Sequence, residues 1–474
     1  MIPDRLRPLV EAGSPTVELG ERFAASGHRL YVVGGSVRDA FLGRPHDDLD
    51  LTTDAHPELI KGIVGGWADS VFTVGEAFGT IGVVRRGQTY EITTFRSEVY
   101  REQSRKPVVM FSDSIDEDLS RRDFTVNAMA ITLPDAEIVD PHGGLADLAA
   151  GVLRTPLDPH VSFSDDPLRM LRLYRFQAVL GFEPDDAAEA AVREMADRLA
   201  IVSAERIRDE FSKLITTDQP GEALWGVLRS GLADLFLPEL PGLAIEQDPV
   251  HRHKDVLAHT VAVTEKTPPR LVIRLAALLH DIAKPATRAY GPRGVTFHHH
   301  EVVGARMASE RLKALRYPRE VVEDVARLVF LHLRPHTLKM GWTDAAVRRY
   351  VRDAGHLLDD LNVLVRCDVT TANPVRARTI QRRIDELEER IAHLATQEEL
   401  ASLRPPIDGN QVMSYLGIAP GPLVGEVIAV LLERRIEEGP YSPAQAYEAV
   451  RAWALDRGLA DPGPPPESDD VEAE

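Results

Sequence analysis

The stretch LYVVGGSVRDAFLGRPHDDLDLTT, Leu30–Thr53, decides the fold of the first part of the chain. In it a β-branched run leads into Gly34, Gly35 and Ser36, and an amphipathic segment follows that ends at a further glycine. This order predicts a strand, a tight turn and a short helix whose first backbone N–H groups can approach a phosphate. Arg38 lies in the first helical turn, from which its guanidinium can reach the same anion.

The end of this stretch, DDLDLTT, has the alternation of a strand. Period-two geometry places Asp48 and Asp50 on one face and turns Leu49 and Leu51 toward the core. Mg²⁺ is usually bound by one or two carboxylates together with substrate phosphates, and paired ions of this kind promote phosphoryl or nucleotidyl transfer. A solvated acidic loop is the alternative interpretation, but the phosphate-binding turn just before it favours a Mg²⁺ site.

Length and composition restrict the class of protein. The 474 residues predict roughly two to four packed units. The chain has neither the apolar run of a secretory signal nor one of membrane-spanning length, so we expect a cytoplasmic protein without a membrane partner. Cys367 is the single cysteine, which leaves carboxylate and imidazole as metal ligands. The net charge of −19 disfavours general adhesion to nucleic acid but allows a local basic groove.

Strand patterns fill the first part of the chain and helical spacing fills the rest. The segments LYVVGG, TIGVV, YEITTF, AMAITL and EIVD predict a mixed sheet. From about Asp166 onward the apolar spacing is helical, as in PLRMLRLYRFQAVLG and RLAALLHDIAK. The predicted fold class is therefore α+β, with a mixed-sheet head followed by an all-α body.

The motifs along the head resemble those of the polymerase-β-like nucleotidyltransferases, and among them the class II CCA-adding enzymes, with bacterial poly(A) polymerases as near relatives. The first motif of that family is matched by Gly34, Gly35, Val37, Arg38, Asp39, Asp48 and Asp50. RRDFTVNAMA, residues 121–130, resembles the second motif, which implies that Arg122 contacts the nucleotide and that Asn127 shapes the ribose site. The head-to-neck segment, the base-selecting motif and its bracing helix are matched by residues 140–148, 165–176 and 203–211.

Within the base-selecting motif, a carboxylate and three arginines recur every three residues, which predicts that they share one helix face. These residues are Asp166, Arg169, Arg172 and Arg175. Cytosine and adenine both present an amine donor beside a ring-nitrogen acceptor, so Asp166 can accept from the amine while Arg169 donates to the ring. Guanine and uracil present the reverse order and would leave buried groups mispaired, at about 1–3 kcal/mol each. An ordinary surface ion pair is the alternative. The family usually has Glu-Asp where this chain has Asp165 and Asp166.

A histidine-rich region after the neck resembles the HD phosphohydrolase superfamily. The resemblance implies four metal ligands, His259, His280, Asp281 and Asp368, with His300 and His332 as further ligands of a second metal. Imidazole and carboxylate ligands fit a divalent transition metal that activates water against a phosphoester. Either His298 or His299 could replace His300, and the alternative is a helical domain whose histidines only form hydrogen bonds in its core.

Together these patterns predict five segments: a nucleotidyltransferase head (14–150), a helical neck with the nucleobase pocket (151–245), an HD metal-dependent phosphohydrolase domain (246–372), a C-terminal helical tRNA-binding tail (373–460) and a disordered acidic tail (461–474). The arginine-bearing segment VRARTIQRR, Val375–Arg383, is the predicted tRNA surface, although such a helix is more often a solvated face.

The resemblance implies template-independent addition of the 3′-terminal CCA to tRNA, with CTP and ATP as substrates and Mg²⁺ held by Asp48 and Asp50. Glu91, on the strand YEITTF, is the predicted third carboxylate. Addition of only CC or only A is an alternative, and so is a poly(A) polymerase. That branch usually carries Gly-Arg-Arg-Phe where this chain has VGEAFGTIGVV. A different class of function would be an HD metal phosphohydrolase whose head only captures nucleotides.

Overall fold

The computed structural model describes residues 6–44, 48–99, 108–245, 255–291, 294–337, 342–369, 374–398 and 403–466. The chain forms two compact units. The first consists of Met1–Ala244, Pro268–Leu271 and Arg311–Tyr317, and the second of Ile245–Thr267, Val272–Glu310 and Pro318–Glu474. Among the described residues, none of the helices combines the length and the apolar character that a membrane crossing requires.

The strands lie mainly in the first part of the chain, as the β-branched segments predict. They are β1 (Leu30–Val33), β2 (Asp48–Thr53), β3 (Ser70–Phe72), β4 (Thr80–Arg85), β5 (Gln88–Thr94), β6 (Arg96–Val99), β7 (Val108–Phe111), β8 (Ala130–Leu133), β9 (Ile138–Val139), β10 (Val152–Leu153), β11 (Glu183–Pro184), β12 (Ala289–Gly291) and β13 (Gly294–Thr296). Seven of them form one mixed sheet in the order β3-β4-β5-β2-β1-β8-β9, in which β2 and β5 are parallel.

The helices from residue 6 to residue 244 are α1 (Arg7–Val10), α2 (Pro15–Ala25), α3 (Gly35–Leu42), α4 (Pro57–Val64), α5 (Ile115–Ser120), α6 (Gly144–Ala150), α7 (Pro159–Asp165), α8 (Leu168–Leu180), α9 (Asp186–Met195), α10 (Ala204–Ile215), α11 (Gly221–Arg229) and α12 (Ala233–Phe236). One face of the sheet forms a core with α2 and α4, to which Leu51 and Ile92 contribute from the strands and Phe23 and Ile60 from the helices. Because side chains alternate along a strand, the neighbours of Leu51 and Ile92 face away from this core.

The helices from residue 255 onward are α13 (Val256–Lys266), α14 (Leu271–Leu279), α15 (Lys284–Thr287), α16 (His300–Ala314), α17 (Arg319–Leu331), α18 (Arg334–Thr337), α19 (Asp344–Ala354), α20 (Leu358–Cys367), α21 (Pro374–Gln397), α22 (Gly409–Leu416), α23 (Pro422–Glu438) and α24 (Pro443–Asp456). The α+β fold class is confirmed: a mixed-sheet head is followed by a largely helical body. The predicted domain limits near 246 and 373 fall in gaps of the described residues.

The first residues of the predicted acidic tail contact two C-terminal helices. Arg451 donates two hydrogen bonds to Asp461, at 2.7 and 2.6 Å, and the hydroxyl of Tyr415 donates to the carbonyl of Gly463 at 2.7 Å. Asp461 and Gly463 thus have specific partners on α24 and α22, and disorder of the tail from residue 461 onward stays a prediction. Residues 467–474 lie outside the described chain.

Candidate active site and metal centre

Three carboxylates lie together on the open face of the sheet. Asp48 and Asp50 are exposed on β2, whereas Leu49 and Leu51 between and after them are buried, as the alternation predicts. Glu91 on β5 is the register partner of Asp50. In a parallel pair such partners point to the same face, so the head presents three carboxylates on one side of the sheet.

The electrostatics of this group favour a cation. Partial desolvation by the surrounding protein raises the pKa of Asp50, although its side chain stays accessible to solvent; the charge of Arg122 opposes this shift and the charge of Asp48 adds to it. Burial also raises the pKa of Glu91, and repulsion by Asp50 and then Asp48 contributes further. Carboxylates that repel one another in this way are stabilised by a shared divalent ion, and the set of oxygen donors matches Mg²⁺.

The raised pKa values predict an unusual stability effect. A carboxyl whose pKa is higher in the folded state lowers stability as the pH rises through the window between its unfolded and folded pKa values. We therefore expect Asp50→Asn to raise the Tm of the metal-free protein at neutral pH, where that cost is fully present. The measurement is thermal unfolding in a chelator at pH 4 and pH 7. The gain should be smaller at pH 4, near the lower edge of that window, and should also shrink when Mg²⁺ is added; a lower Tm for the variant at pH 7 would contradict the prediction.

The turn before α3 has the backbone geometry of an anion site. Gly34 has a φ of 68°, a conformation that favours glycine, and a Cβ there would lie 2.7 Å from Nη1 of Arg122. The helix begins at Gly35, so its first amides point toward the turn. Ser36 is buried, and its Oγ accepts from the amide of Asp50 at 3.1 Å, which fixes α3 against the carboxylate strand.

Arg38 and Asn127 are joined in a buried network. Nη1 of Arg38 donates to the side-chain oxygen of Asn127 at 2.5 Å, while Nε and Nη2 donate to Asp39 at 2.9 and 2.8 Å. Nδ2 of Asn127 in turn donates to Asp123 at 2.9 Å. All three of these nitrogens have partners within the protein. Arg38 therefore orients Asn127 and adds a positive charge beside the turn. Arg122 donates from Nη2 to Asp118 at 3.1 Å.

Two of the neck arginines are engaged with buried carboxylates. Arg172 donates to Asp123 at 2.5 and 3.0 Å and to Glu210 at 3.1 Å, and Arg175 donates to Glu210 at 2.5 Å. Glu210 is the partner that the two arginines share. Asp123, the other partner of Arg172, has a pKa held far below its usual range, because the charge of Arg172 and the hydrogen bond from Asn127 outweigh its burial. Head and neck are thus connected by a continuous chain of hydrogen bonds from Arg38 to Arg175.

The predicted base-selecting pair does not share a helix face. Asp166 is the C-cap of α7, and α8 begins only at Leu168, so the three-residue spacing holds for the arginines alone. Oδ1 of Asp166 accepts from the amide of Leu168 at 3.1 Å, and Oδ2 accepts from Arg206 at 2.7 Å. Arg169 donates to the hydroxyl of Ser162 at 2.9 Å. Each carboxylate oxygen accepts one of these hydrogen bonds, and a carboxylate oxygen has the capacity to accept a second, such as one from a base amine.

Six residues of the second unit form two groups of metal-ligating atoms. The first group is His259, His280 and Asp368, and the second is Asp281, His300 and His332, with the ligand atoms of each group within 4.8 Å of one another. The two groups adjoin, since Nε2 of His280 lies 3.2 Å from Oδ2 of Asp281. The structure brings together all six predicted residues. His298 and His299 are exposed, whereas His300 is buried with the cluster, so His300 is the better candidate.

The orientation of the histidines fits metal binding. Nδ1 of His280, His300 and His332 faces a backbone carbonyl at 2.7, 2.7 and 2.6 Å, which leaves each Nε2 for the centre of the cluster. Nε2 of His300 and of His332 is buried without a hydrogen bond among the described residues, and Nε2 of His300 lies 3.4 Å from Oδ1 of Asp281. Burial lowers the pKa of His332 to about 3, and a neutral imidazole is the form that binds metal. Burial alone would also lower the pKa of His280, but the Asp281 and Asp368 carboxylates raise it to about 10. A divalent ion would supply the positive charge that this proton provides.

We expect His280→Ala to abolish divalent-metal binding by the second unit and to leave nucleotide addition within about twofold of wild type, because His280 lies outside the head. The measurement is Mn²⁺ titration by calorimetry, alongside incorporation of labelled nucleotide. His298→Ala, a change at an exposed histidine, is the matched control and should bind as wild type does. Unaltered metal stoichiometry in His280→Ala would show that these histidines are structural.

Sequence reasoning missed three residues of this site. Asp123 and Glu210 hold the neck arginines, and Arg206 holds Asp166. A local signal exists for two of them, because Arg206 and Glu210 lie four residues apart in the predicted bracing helix SAERIRDEF and so share one of its faces. Asp123 lies beside Arg122 in RRDFTVN, and its partner Arg172 is distant in sequence.

The chain is similar to known proteins along most of its length. Family models match for the Poly A polymerase head domain at residues 30–154, for the Probable RNA and SrmB-binding site of polymerase A at residues 181–243, and for the HD domain at residues 254–395. The A-adding tRNA nucleotidyltransferase of Deinococcus radiodurans is 34% identical over 442 residues, which cover 89% of this chain and 95% of that protein. The chain belongs to the tRNA nucleotidyltransferase family.

Two further comparisons agree with this membership. The CCA-adding enzyme of a Geobacillus species is 28% identical over 434 residues, 91% of this chain and 94% of that enzyme. The crystal structure of the Bacillus stearothermophilus CCA-adding enzyme in complex with CTP superposes with a TM-score of 0.67 at 25% identity and covers 96% of this chain and 98% of that one. The resemblance first suggested by the head motifs is confirmed, and tRNA nucleotidyltransferases and HD proteins both use divalent metals.

Proposed function

We propose that this tRNA nucleotidyltransferase adds the 3′-terminal CCA to tRNA without a template, consuming CTP and ATP and releasing pyrophosphate. The observation that carries the proposal is the placement of Asp48, Asp50 and Glu91 on one sheet face beside the glycine turn of α3. A nucleotide-sensing head would not require three mutually repelling carboxylates at its anion site. The relatives named as CCA-adding enzymes support the same reaction.

The reaction proposed is direct attack of the tRNA 3′-hydroxyl on the α-phosphate of the incoming nucleotide. Asp48, Asp50 and Glu91 would hold Mg²⁺, which when bound neutralises the triphosphate and the charge that develops on the attacking and leaving oxygens. The N-terminus of α3 and the guanidinium of Arg122 bind the triphosphate, and Arg38 holds Asn127 toward the ribose. No covalent enzyme intermediate is required.

Base choice is assigned to Asp166 and Arg169 in the neck. Asp166 accepts from the exocyclic amine of cytosine or adenine, and Arg169 donates to the adjacent ring nitrogen. Arg206 and Ser162 keep these two side chains in place, at 2.7 and 2.9 Å respectively. Arg172 and Arg175 contribute to nucleotide binding in two ways. They make the neck rigid, and their positive charge attracts the phosphates and the ribose.

The rest of the chain is proposed to bind tRNA and to carry a second, phosphohydrolase activity. The exposed arginines of α21, Arg378 and Arg382, line a groove of about 360 Å³ and form the proposed tRNA surface of the C-terminal tail. The six-residue cluster of the second unit is proposed to bind a divalent transition metal and to hydrolyse phosphoesters. The division into a head (14–150), neck (151–245), HD domain (246–372) and tail (373–460) belongs to the same proposal.

Addition of the final A alone is the second candidate, and the name of the Deinococcus radiodurans relative favours it. The test uses tRNA that lacks CCA and tRNA that ends in CC, each with labelled CTP or ATP in turn. A CCA-adding enzyme incorporates CMP into the first acceptor and AMP into the second. Incorporation of AMP into the second acceptor, with no CMP in the first, would assign the protein to the A-adding enzymes.

A further inference from the structure

A row of residues connects the catalytic carboxylates to an exposed aromatic ring. Phe72 on β3 pairs with Gly82 on β4, Gly82 pairs with Glu91 on β5, and Glu91 pairs with Asp50 on β2. Register partners on neighbouring strands face the same side of a sheet. A methyl group at Gly82 would overlap the Phe72 ring, so this ring lies across the glycine on the open face, in the direction of Glu91.

The ring forms one wall of a groove of about 540 Å³ that reaches Glu91. We call it the acceptor groove, and its lining includes Phe72, Val74, Phe78, Thr80, Glu91 and Arg96. Phe72, Phe78 and Val74 are 39%, 57% and 94% exposed, which is costly for large apolar side chains without a partner. Nη1 of Arg96 donates to the carbonyl of Phe78 at 2.8 Å, so the groove also carries a positive charge on a fixed turn.

The acceptor groove lies on the opposite side of the carboxylates from the nucleotide turn. The sheet order places β1, which leads into Gly34 and α3, on one side of β2, and β5, β4 and β3 on the other. In nucleotidyl transfer the attacking and leaving oxygens are roughly in line across the phosphorus. If the triphosphate lies at the turn, the attacking hydroxyl must approach from the side of Phe72.

We infer that the acceptor groove binds the 3′-terminal nucleotide of the RNA acceptor, with its base stacked on Phe72 and its backbone near Arg96. The inference rests on the proposed function and extends it to the second substrate. The terminal base of the acceptor changes at each addition, so its site has to tolerate several bases. An aromatic face does so, because every base has a π-face and stacking needs no hydrogen-bond pattern.

The kinetic test compares two variants of Phe72: leucine keeps an apolar side chain without a ring, and tyrosine keeps the aromatic ring. Phe72→Leu should raise the KM for tRNA on the order of 10- to 100-fold and leave the KM for CTP within about twofold, whereas Phe72→Tyr should behave as wild type. Val71→Ala is the matched control, because Val71 is an exposed apolar residue of the same strand on the opposite face. A KM for tRNA unchanged in Phe72→Leu would overturn the inference and leave the proposed function intact.

A binding test does not depend on turnover. Full-length protein is irradiated with a tRNA acceptor whose last base is 5-iodocytidine, and the crosslinked peptide is located by mass spectrometry. The crosslink is expected within residues 72–80, and its yield should fall in Phe72→Leu but persist in Phe72→Tyr. A crosslink that maps elsewhere would refute the acceptor groove. Failure of wild type to incorporate any nucleotide, with the crosslink in place, would instead refute the proposed function.

Discussion

Asp48→Ala and Asp50→Ala should each lower CMP and AMP incorporation at least about 10³-fold, because each removes a ligand from the position where transition-state charge is neutralised. The folded head should survive, since both side chains are exposed on the open face and leave Leu49 and Leu51 in the core. The measurement is single-turnover incorporation into tRNA lacking CCA, with circular dichroism to verify the fold.

The control for this pair is Glu58→Ala, an exposed carboxylate on α4 whose side chain is 81% accessible and pairs with Lys61. It should retain incorporation within about twofold, because exposed pairs contribute little. If either aspartate variant incorporates nucleotide at the wild-type rate, the catalytic role proposed for Asp48 and Asp50 is wrong. This conclusion does not depend on the role of Glu91.

Asp166→Ala should reduce base discrimination more than it reduces catalysis. The change removes the acceptor for the amine of cytosine and adenine and also removes a group that repels uracil and guanine. At about 1–3 kcal/mol for a mispaired buried group, the ratio of kcat/KM for CTP over UTP should fall roughly 5- to 150-fold. The ratio is measured on tRNA lacking CCA.

Two variants make the Asp166 result specific. Arg206→Ala keeps the carboxylate but removes the guanidinium that holds it at 2.7 Å, so its discrimination should fall by less than that of Asp166→Ala. Asp197→Ala, an exposed carboxylate elsewhere in the neck, should match wild type. A CTP-over-UTP ratio that stays constant in Asp166→Ala while catalysis falls uniformly would show that Asp166 is only structural.

The parts of the site that sequence could predict depend on local periodicity or on ordered motifs. Alternation along residues 48–53 is sufficient to place Asp48 and Asp50 on one face, because neighbouring leucines must be buried. The glycine turn and helix follow from chemistry within ten residues. The predicted HD ligands are spread between His259 and Asp368, but their order is distinctive, and the structure brings all six together.

The parts that sequence could not predict depend on tertiary pairing. The three-residue spacing of the neck arginines suggested one ligand face, but Arg172 pairs with Asp123, which is 49 residues away, and with Glu210, which is 38 residues away. Nothing local distinguishes an arginine that holds a ligand from one that holds a buried carboxylate. Likewise Phe72 belongs to a three-residue strand, and only the register across two strand pairs aligns it with Glu91.

The most direct test of the account is the sequence of the product. tRNA lacking its 3′ end is incubated with wild-type protein, Mg²⁺ and all four nucleoside triphosphates together, and the 3′ ends are sequenced. In the proposed mechanism the neck pocket selects the bases and the head performs one transfer at a time, so the tRNA should gain CCA and addition should stop there. Long oligo(A) extensions, random incorporation, or addition that persists unchanged in Asp50→Ala would contradict it.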